Sequence, residues 1–193
     1  IYFLSVYERP LVQHICSEVS GDFARLLTLI TTTVRDPPHT VNPGLAKEHA
    51  EKLFNAGAAK LGTHEEVFNK IMAHDSFAQL RLVFKEYKAL TGETIEQALN
   101  SELSGDLLKA MIAIVECVQS PPTYYARRLN KAIEGFGTDD STLIRIIISR
   151  SEIDLGAVKT QYEMLYNKTL LSAVKSETSG DYKLALCAII GNA

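Results

Sequence analysis

The chain has 193 residues, enough to bury a sizeable core and to hold one or two domains. With 46% hydrophobic and 22% charged residues it has the composition of an ordinary globular protein, and its longest apolar runs, Ala110 to Val115 and Leu184 to Ile190, are far too short to span a bilayer. A formal net charge of −3 argues against direct attraction to nucleic acid or to an acidic membrane, so an anionic partner would need a cation in between.

Residues 1–7 predict the end of a helix, stopped near Arg9-Pro10 because proline disfavours helix in the residue before it. Ile1 opens inside an apolar, helix-like pattern, so the chain reads as truncated. A short helix from Leu11 to Cys16 follows, then a longer one from Phe23 to Val34. Between them stands Glu18-Val19-Ser20-Gly21-Asp22, a block that returns as Glu102-Leu103-Ser104-Gly105-Asp106 and as Glu177-Thr178-Ser179-Gly180-Asp181. Asp36-Pro37-Pro38-His39 is a linker, and Asn42-Pro43 is an N-cap with proline at the first helical position.

From there the chain predicts two five-helix sets. In the first, helix A runs to about Asn55, helix B opens at Thr63-His64-Glu65-Glu66 with capping-box spacing, and helix C begins at Ser76. Helix D covers Thr94 to Asn100, and helix E covers Ser104 to about Cys117. Leu80, Val83, Tyr87 and Leu90 in helix C step by 3, 4 and 3, as do Leu155, Val158, Tyr162 and Leu165 seventy-five residues on. That spacing places each foursome on one helical face. Ser120-Pro121-Pro122 reads as a second linker. In the second set, A runs from Thr123 to about Ile133, B starts at Thr138, C at Ser151 with a capping box to Asp154, D near Thr169 and E at Ser179. No stretch alternates with period two. The fold class is therefore all-α and repeated, with about 75 residues per unit.

The chemistry gathers at one arrangement that occurs twice. Ile133-Glu134-Gly135-Phe136-Gly137-Thr138 is followed by Glu177, forty residues after Gly137; Lys60-Leu61-Gly62-Thr63 is followed by Glu102, forty residues after Gly62. Glycines let a tight loop turn its carbonyl oxygens inward, and one carboxylate then closes the oxygen shell that a hard cation such as calcium requires. A Gly-x-Gly-Thr loop alone is usually a plain helix–helix turn. The matched acid, found twice at one offset, favours the cation. The five histidines show no metal spacing, since His64-Glu65-Glu66-Val67-Phe68 fails the HExxH pattern at its last position. Gly135-Phe136-Gly137 follows a helix rather than a strand, which removes the dinucleotide reading. Cys16, Cys117 and Cys187 are odd in number and lack CxxC spacing, as expected of reduced thiols in a cytosolic protein.

These loops, the Glu-x-Ser-Gly-Asp block, Leu80-Arg81-x-x-Phe84 and Ser149-Arg150-Ser151-Glu152-Ile153-Asp154-Leu155 together resemble the annexin family over nearly the whole chain, and Tyr7-Glu8-Arg9-Pro10-Leu11 looks most like its insect branch. The resemblance implies annexin-type repeats of five helices in a curved, right-handed disc. Residues 1–35 would be the C-terminal part of repeat two and 42–118 repeat three, with 123–191 as repeat four; 36–41 and 119–122 would be linkers. It further implies calcium ligation by backbone carbonyls of Ile133, Gly135 and Gly137 with Glu177, and of Gly57, Lys60 and Gly62 with Glu102. Glu18 holds the corresponding carboxylate of repeat two, whose loop would lie upstream of Ile1. Glu134 replaces a usual Lys or Arg, Leu61 a common tryptophan, and Asp75 the usual arginine at the end of helix B.

The implied function is calcium-dependent binding to acidic phospholipid membranes of the phosphatidylserine type, with no nucleic acid and no catalysis. The protein would be cytoplasmic and recruited peripherally when calcium rises, with lateral self-association on the membrane as a further expectation. Two other classes compete. An enzyme would need a nucleophile elbow, a Cys/His pair or a Walker-type loop, and the sequence has none; a calcium-independent helical scaffold for protein partners would bind them regardless of a chelator. Residues 1–35 would lack the helices against which their own pack. Phe3, Leu11, Ile15, Phe23, Leu26 and Leu27 are therefore expected to lose partners, and the segment to exchange its amide protons fast.

Overall fold

The computed structural model describes residues 2–37, 41–57, 65–135 and 137–192. The described residues form thirteen helices and no strand, and fall into two compact units, residues 1–119 and 120–193. The first unit holds α1 (Tyr2–Tyr7), α2 (Leu11–Glu18), α3 (Gly21–Thr32), α4 (Pro43–Gly57), α5 (Glu65–His74), α6 (Phe77–Thr91), α7 (Ile95–Glu102) and α8 (Gly105–Gln119). The second holds α9 (Pro121–Ile133), α10 (Asp140–Arg150), α11 (Leu155–Tyr166), α12 (Leu170–Glu177) and α13 (Gly180–Asn192). Helices α4 to α8 and α9 to α13 correspond to the two five-helix sets; the expected opening of helix B at Thr63 and His64 lies outside the described residues.

Local cap chemistry sets most boundaries. Asn42 Oδ1 accepts from Leu45 N at 3.1 Å to start α4, and Ser76 accepts from Gln79 N at 3.1 Å to start α6. Thr94 and Gln97 exchange both hydrogen bonds of a capping box at the head of α7, and Thr169 caps α12 through Ser172 N. Caps of this kind are each worth about 1 kcal/mol. Gln79, buried, reaches across to Asn42, accepting from its N at 2.8 Å and donating to its O at 3.0 Å, so the starts of α4 and α6 are pinned together.

Several boundaries differ from expectation. Pro121 and Pro122 do not form a linker; they fill the first turn of α9 behind the Ser120 cap, where a missing N–H costs nothing. Helix α10 starts at Asp140 rather than Thr138 because Asp139 is its cap. No capping box forms at Ser151. That residue lies in right-handed helical conformation and donates its hydroxyl to Ile148 O, while the Asp154 carboxylate is taken by Arg150 Nε at 2.7 Å, so α11 begins at Leu155. In the helix C foursomes, Leu80, Val83 and Tyr87 are buried, as are Leu155, Val158 and Tyr162, but Leu90 is 50% and Leu165 41% exposed. Each of these leucines is the penultimate residue of its helix and sits at the rim of the packed face.

Each unit has its own core. In the second, Leu129, Leu143, Ile147, Val158, Tyr162, Val174 and Ile190 pack together from all five helices. The Tyr162 hydroxyl donates to Asn130 Oδ1 at 3.0 Å inside this core. Burial, with smaller contributions from Tyr166 and Glu134, pushes the Tyr162 hydroxyl up to about 12. Its folded value thus exceeds the ordinary value of 10.0, so the stability it contributes is complete below about pH 10 and is lost as pH rises toward 12. The phenolate absorbance of Tyr162 is expected to appear only together with alkaline unfolding. In Tyr162→Phe the late phenolate step, which Tyr182 shares because burial also pushes it up to about 12, is expected to shrink by one tyrosine, at a cost of about 1–3 kcal/mol for the orphaned, buried Asn130 oxygen; titration of Tyr162 at the ordinary tyrosine value would contradict the packing.

In the first unit the core includes Leu26 of α3 alongside Leu53, Phe68, Met72, Leu80, Leu99 and Met111. This corrects the expectation for residues 1–35 at one point: Leu26 is fully buried because α3 lies against α5. Asn69, itself buried, donates Nδ2 to Asp22 O at 3.1 Å. Leu11, by contrast, is 38% exposed, and α2 buries no residue fully. The connection out of α3 is fixed as well, since Arg35 donates to Asp75 O at 2.5 Å and to Met72 O at 2.8 Å. Asp75 itself is buried, with His49 Nδ1 2.7 Å from its Oδ2. A carboxylate at the end of helix B is accommodated because α4 supplies a histidine facing it.

Candidate metal centre

The Glu-x-Ser-Gly-Asp block folds the same way three times. Glu18, Glu102 and Glu177 are the last residues of α2, α7 and α12. Each is followed by an extended C-cap residue, Val19, Leu103 or Thr178. The glycine that opens the next helix then takes φ of +63°, +61° or +60°, a region that penalises any side chain. One tight corner therefore delivers a carboxylate to the equivalent place in each repeat.

Facing Glu177 is the α9–α10 loop. Glu134 N donates to Asn130 O at 2.8 Å to close α9. Gly135 and Gly137 take φ of +128° and +89°, and Asp139 N returns to Ala132 O at 2.8 Å. The loop is tied down beyond that point. Thr138 Oγ1 donates to Asp140 Oδ1 at 2.6 Å, and Asp139 accepts from Thr142 N and Oγ1 at 3.0 and 2.7 Å. The Thr142 hydrogen bonds hold the Asp139 carboxyl below its usual range. Ile133, Glu134 and Gly135 line an open cleft of about 290 Å³ together with Glu177. The structure thus brings together Ile133, Gly135 and Glu177 of the expected set. Gly137 belongs to the same loop but not to the cleft wall, and Phe136 is outside the described residues. Asn130, Tyr162, Tyr166 and Lys168 complete the cleft. Sequence reasoning missed these four; the recurrence of tyrosine at 87 and 162 was the one signal, and it reads equally as core.

In the other unit the described half of the arrangement is also assembled. A Cβ built on Gly57 would sit 3.2 Å from Glu102 Cγ and 3.4 Å from its Cδ, so glycine is what lets the carboxylate lie against the end of α4. Lys60, Leu61 and Gly62 are outside the described residues. Glu18 is exposed at the end of α2.

A divalent cation fits this donor chemistry. Among the described residues no three His, Cys, Asp or Glu side chains cluster as ligands, and beside Glu177 the cleft offers a shell of backbone carbonyls from Ile133 and Gly135, which line the same wall. Calcium accepts such a shell; zinc and copper prefer nitrogen and sulfur. Open space surrounds Gly135 and Gly137, where an added Cβ would meet nothing within 4 Å. No described helix is long and apolar enough to cross a membrane.

The repeated five-helix unit and its paired loop and carboxylate define the class. The annexin family model matches residues 48–114 and 124–189, and the chain belongs to the annexin family. Annexin B10 of Drosophila melanogaster is 63% identical over 189 residues, 97% of this chain and 59% of that protein. Human annexin A3 is 42% identical over 98% of this chain and 58% of its own length. Among solved structures, annexin III superimposes with a TM-score of 0.95 at 42% identity, over 98% of this chain and 59% of that one. Calcium-bound annexin (Sm)1 superimposes with a TM-score of 0.85 at 32% identity, over 95% of this chain and 54% of that one. The chain therefore spans somewhat over half the length of these relatives.

Proposed function

We propose that the chain binds acidic phospholipid membranes, of the phosphatidylserine type, through bridging calcium ions. The observation that carries this reading is the convergence of Ile133, Gly135 and Glu177 on one cleft, supported by the contact of Glu102 with Gly57. In the proposed sites, carbonyls of Ile133, Gly135 and Gly137 with Glu177 hold one ion, and those of Gly57, Lys60 and Gly62 with Glu102 hold another. Calcium takes about six to eight oxygens. Three carbonyls and a bidentate carboxylate supply about five, and a single carboxylate leaves the ion with net positive charge. A lipid phosphate oxygen satisfies both deficits, and a chain of net charge −3 is thereby converted from repelled to attracted. Two sites acting on one membrane add through effective concentration.

The protein acts in this reading as a binding protein, not an enzyme, at the cytosolic face of a membrane. The test is co-sedimentation with vesicles of phosphatidylserine and phosphatidylcholine. Pelleting with calcium and release by chelator are expected; retention that ignores the chelator would instead favour the helical scaffold for protein partners.

Glu134 lines the cleft beside Glu177, and Lys168 is the cation on the same wall. A second carboxylate at the mouth repels an anionic surface by an amount that salt screens over about 10 Å at 0.1 M. Glu134→Lys is therefore expected to lower the calcium needed for vesicle binding, by a few-fold at low ionic strength and less at high. A rise in the calcium requirement would instead make Glu134 a direct ligand.

A further inference from the structure

A basic cleft lies in the first unit between α6, the head of α7 and the end of α8. Arg81, Lys85 and Lys88 follow one another on α6 at i, i+4 and i+7, a span of about 10 Å on one helical face. All three line a cleft of about 410 Å³ whose opposite wall is Thr94 and Glu96 at the head of α7 and Gln119 at the end of α8. That volume is in the range of small-molecule sites. Phe84 and Ile95 form its buried floor.

The charges here are not consumed by the fold. Arg81 uses Nη1 to cap α8, donating to Val118 O at 2.7 Å, which fixes the guanidinium at the cleft. Lys85 and Lys88 are exposed and form no ion pair among the described residues. The one acid in the wall, Glu96, accepts from Gln119 Nε2 at 2.5 Å. Thr94 Oγ1 accepts from Gln97 N and keeps its own O–H to donate. Three cations and a hydroxyl donor thus face one acid that is already engaged. This is no general property of the repeat, because the residues seventy-five positions on are Gly156, Thr160 and Glu163.

We propose that this cleft binds a small ligand carrying several phosphates. Three cations spread over one helix face suit charges distributed along a ligand, and a phosphate offers the acceptor-only oxygens that guanidinium, ammonium and hydroxyl donors share. The ligand is either a soluble polyphosphate or the phosphorylated headgroup of an inositol lipid; both present the same chemistry. Glu102 ends α7 while Thr94 caps its start, so the cleft and the proposed calcium site lie at opposite ends of that helix, about 12 Å apart along its axis. Occupation of one leaves the other open.

The test uses the whole chain in a calcium chelator, which keeps it independent of the calcium reading. Tripolyphosphate binding is followed by calorimetry, and retention on phosphatidylcholine vesicles is measured with and without bisphosphorylated phosphatidylinositol. Saturable binding of one or both probes is expected. It should weaken about tenfold or more in the Lys85→Ala/Lys88→Ala double variant, each ammonium contributing a charge-assisted hydrogen bond. Lys85→Arg/Lys88→Arg is expected to retain it. Tripolyphosphate binding without vesicle retention assigns a soluble ligand, and retention assigns the headgroup. Binding of neither probe, equal binding by the alanine variant, or an arginine variant as weak as the alanine one overturns the proposal.

Discussion

In the double variant Glu102→Gln/Glu177→Gln, calcium-dependent vesicle binding is expected to be nearly abolished. Either single change is expected to raise the calcium needed for half-maximal binding by at least about tenfold, the scale on which even outer ligand partners act. Each site as proposed has one charged ligand, and glutamine keeps the shape while removing the charge that calcium requires. The structure supports glutamine as a clean test: Glu177 is exposed at the end of α12, and Glu102 lies against Gly57, where a larger change would disturb the corner. The single variants should differ only in which loop is lost, because the two carboxylates leave their helices by the same turn. A double variant with unaltered calcium dependence would remove both sites at once.

Leu26→Ala is expected to cost about 2–5 kcal/mol of the first unit's stability, measured by denaturant unfolding. The side chain is fully buried in the core that also holds Phe68, Met72 and Leu99. Leu11→Ala, at a residue 38% exposed, is expected to cost less than about 1 kcal/mol. Amide exchange should follow the same division. Protection is expected in α3, which docks on α5 and is held through Asn69 and Asp22. Faster exchange is expected in α2, which buries no residue fully. Equal costs for the two leucines would mean that α3 does not share the core of the repeat that follows it.

That contrast also marks what was legible in the sequence. Helix identity and order were, because a 75-residue recurrence and strong local caps such as Asn42, Ser76, Thr94 and Thr169 agree with one another. The recurrence of the Glu-x-Ser-Gly-Asp block was too, although that its glycines turn a corner at positive φ is seen only in the structure. What could not be read were couplings between distant positions. Nothing near Asp75 announces that His49 will face it or that Arg35 will bind its backbone. Nothing near Asn69 announces Asp22. Leu90 and Leu165 satisfy the helical period perfectly well, yet periodicity gives a face and not a depth, and both sit at the rim. The prolines at 121 and 122 show the same limit in reverse: the residue type marks a boundary, and only the Ser120 cap decides that they fall inside the helix. For the candidate cleft, the sequence paired Glu177 with the glycine loop that the structure sets opposite it, whereas Asn130, Tyr162, Tyr166 and Lys168, which build the rest of the wall, were not legible.

The most direct measurement is a crystal of the chain soaked in calcium. The account predicts difference density about 2.3–2.6 Å from the carbonyl oxygens of Ile133, Gly135 and Gly137 and from both carboxylate oxygens of Glu177, with the remaining positions open to solvent or a phosphate. Calcium density absent from that loop, or held by Glu134 with Glu177 turned away, would contradict it.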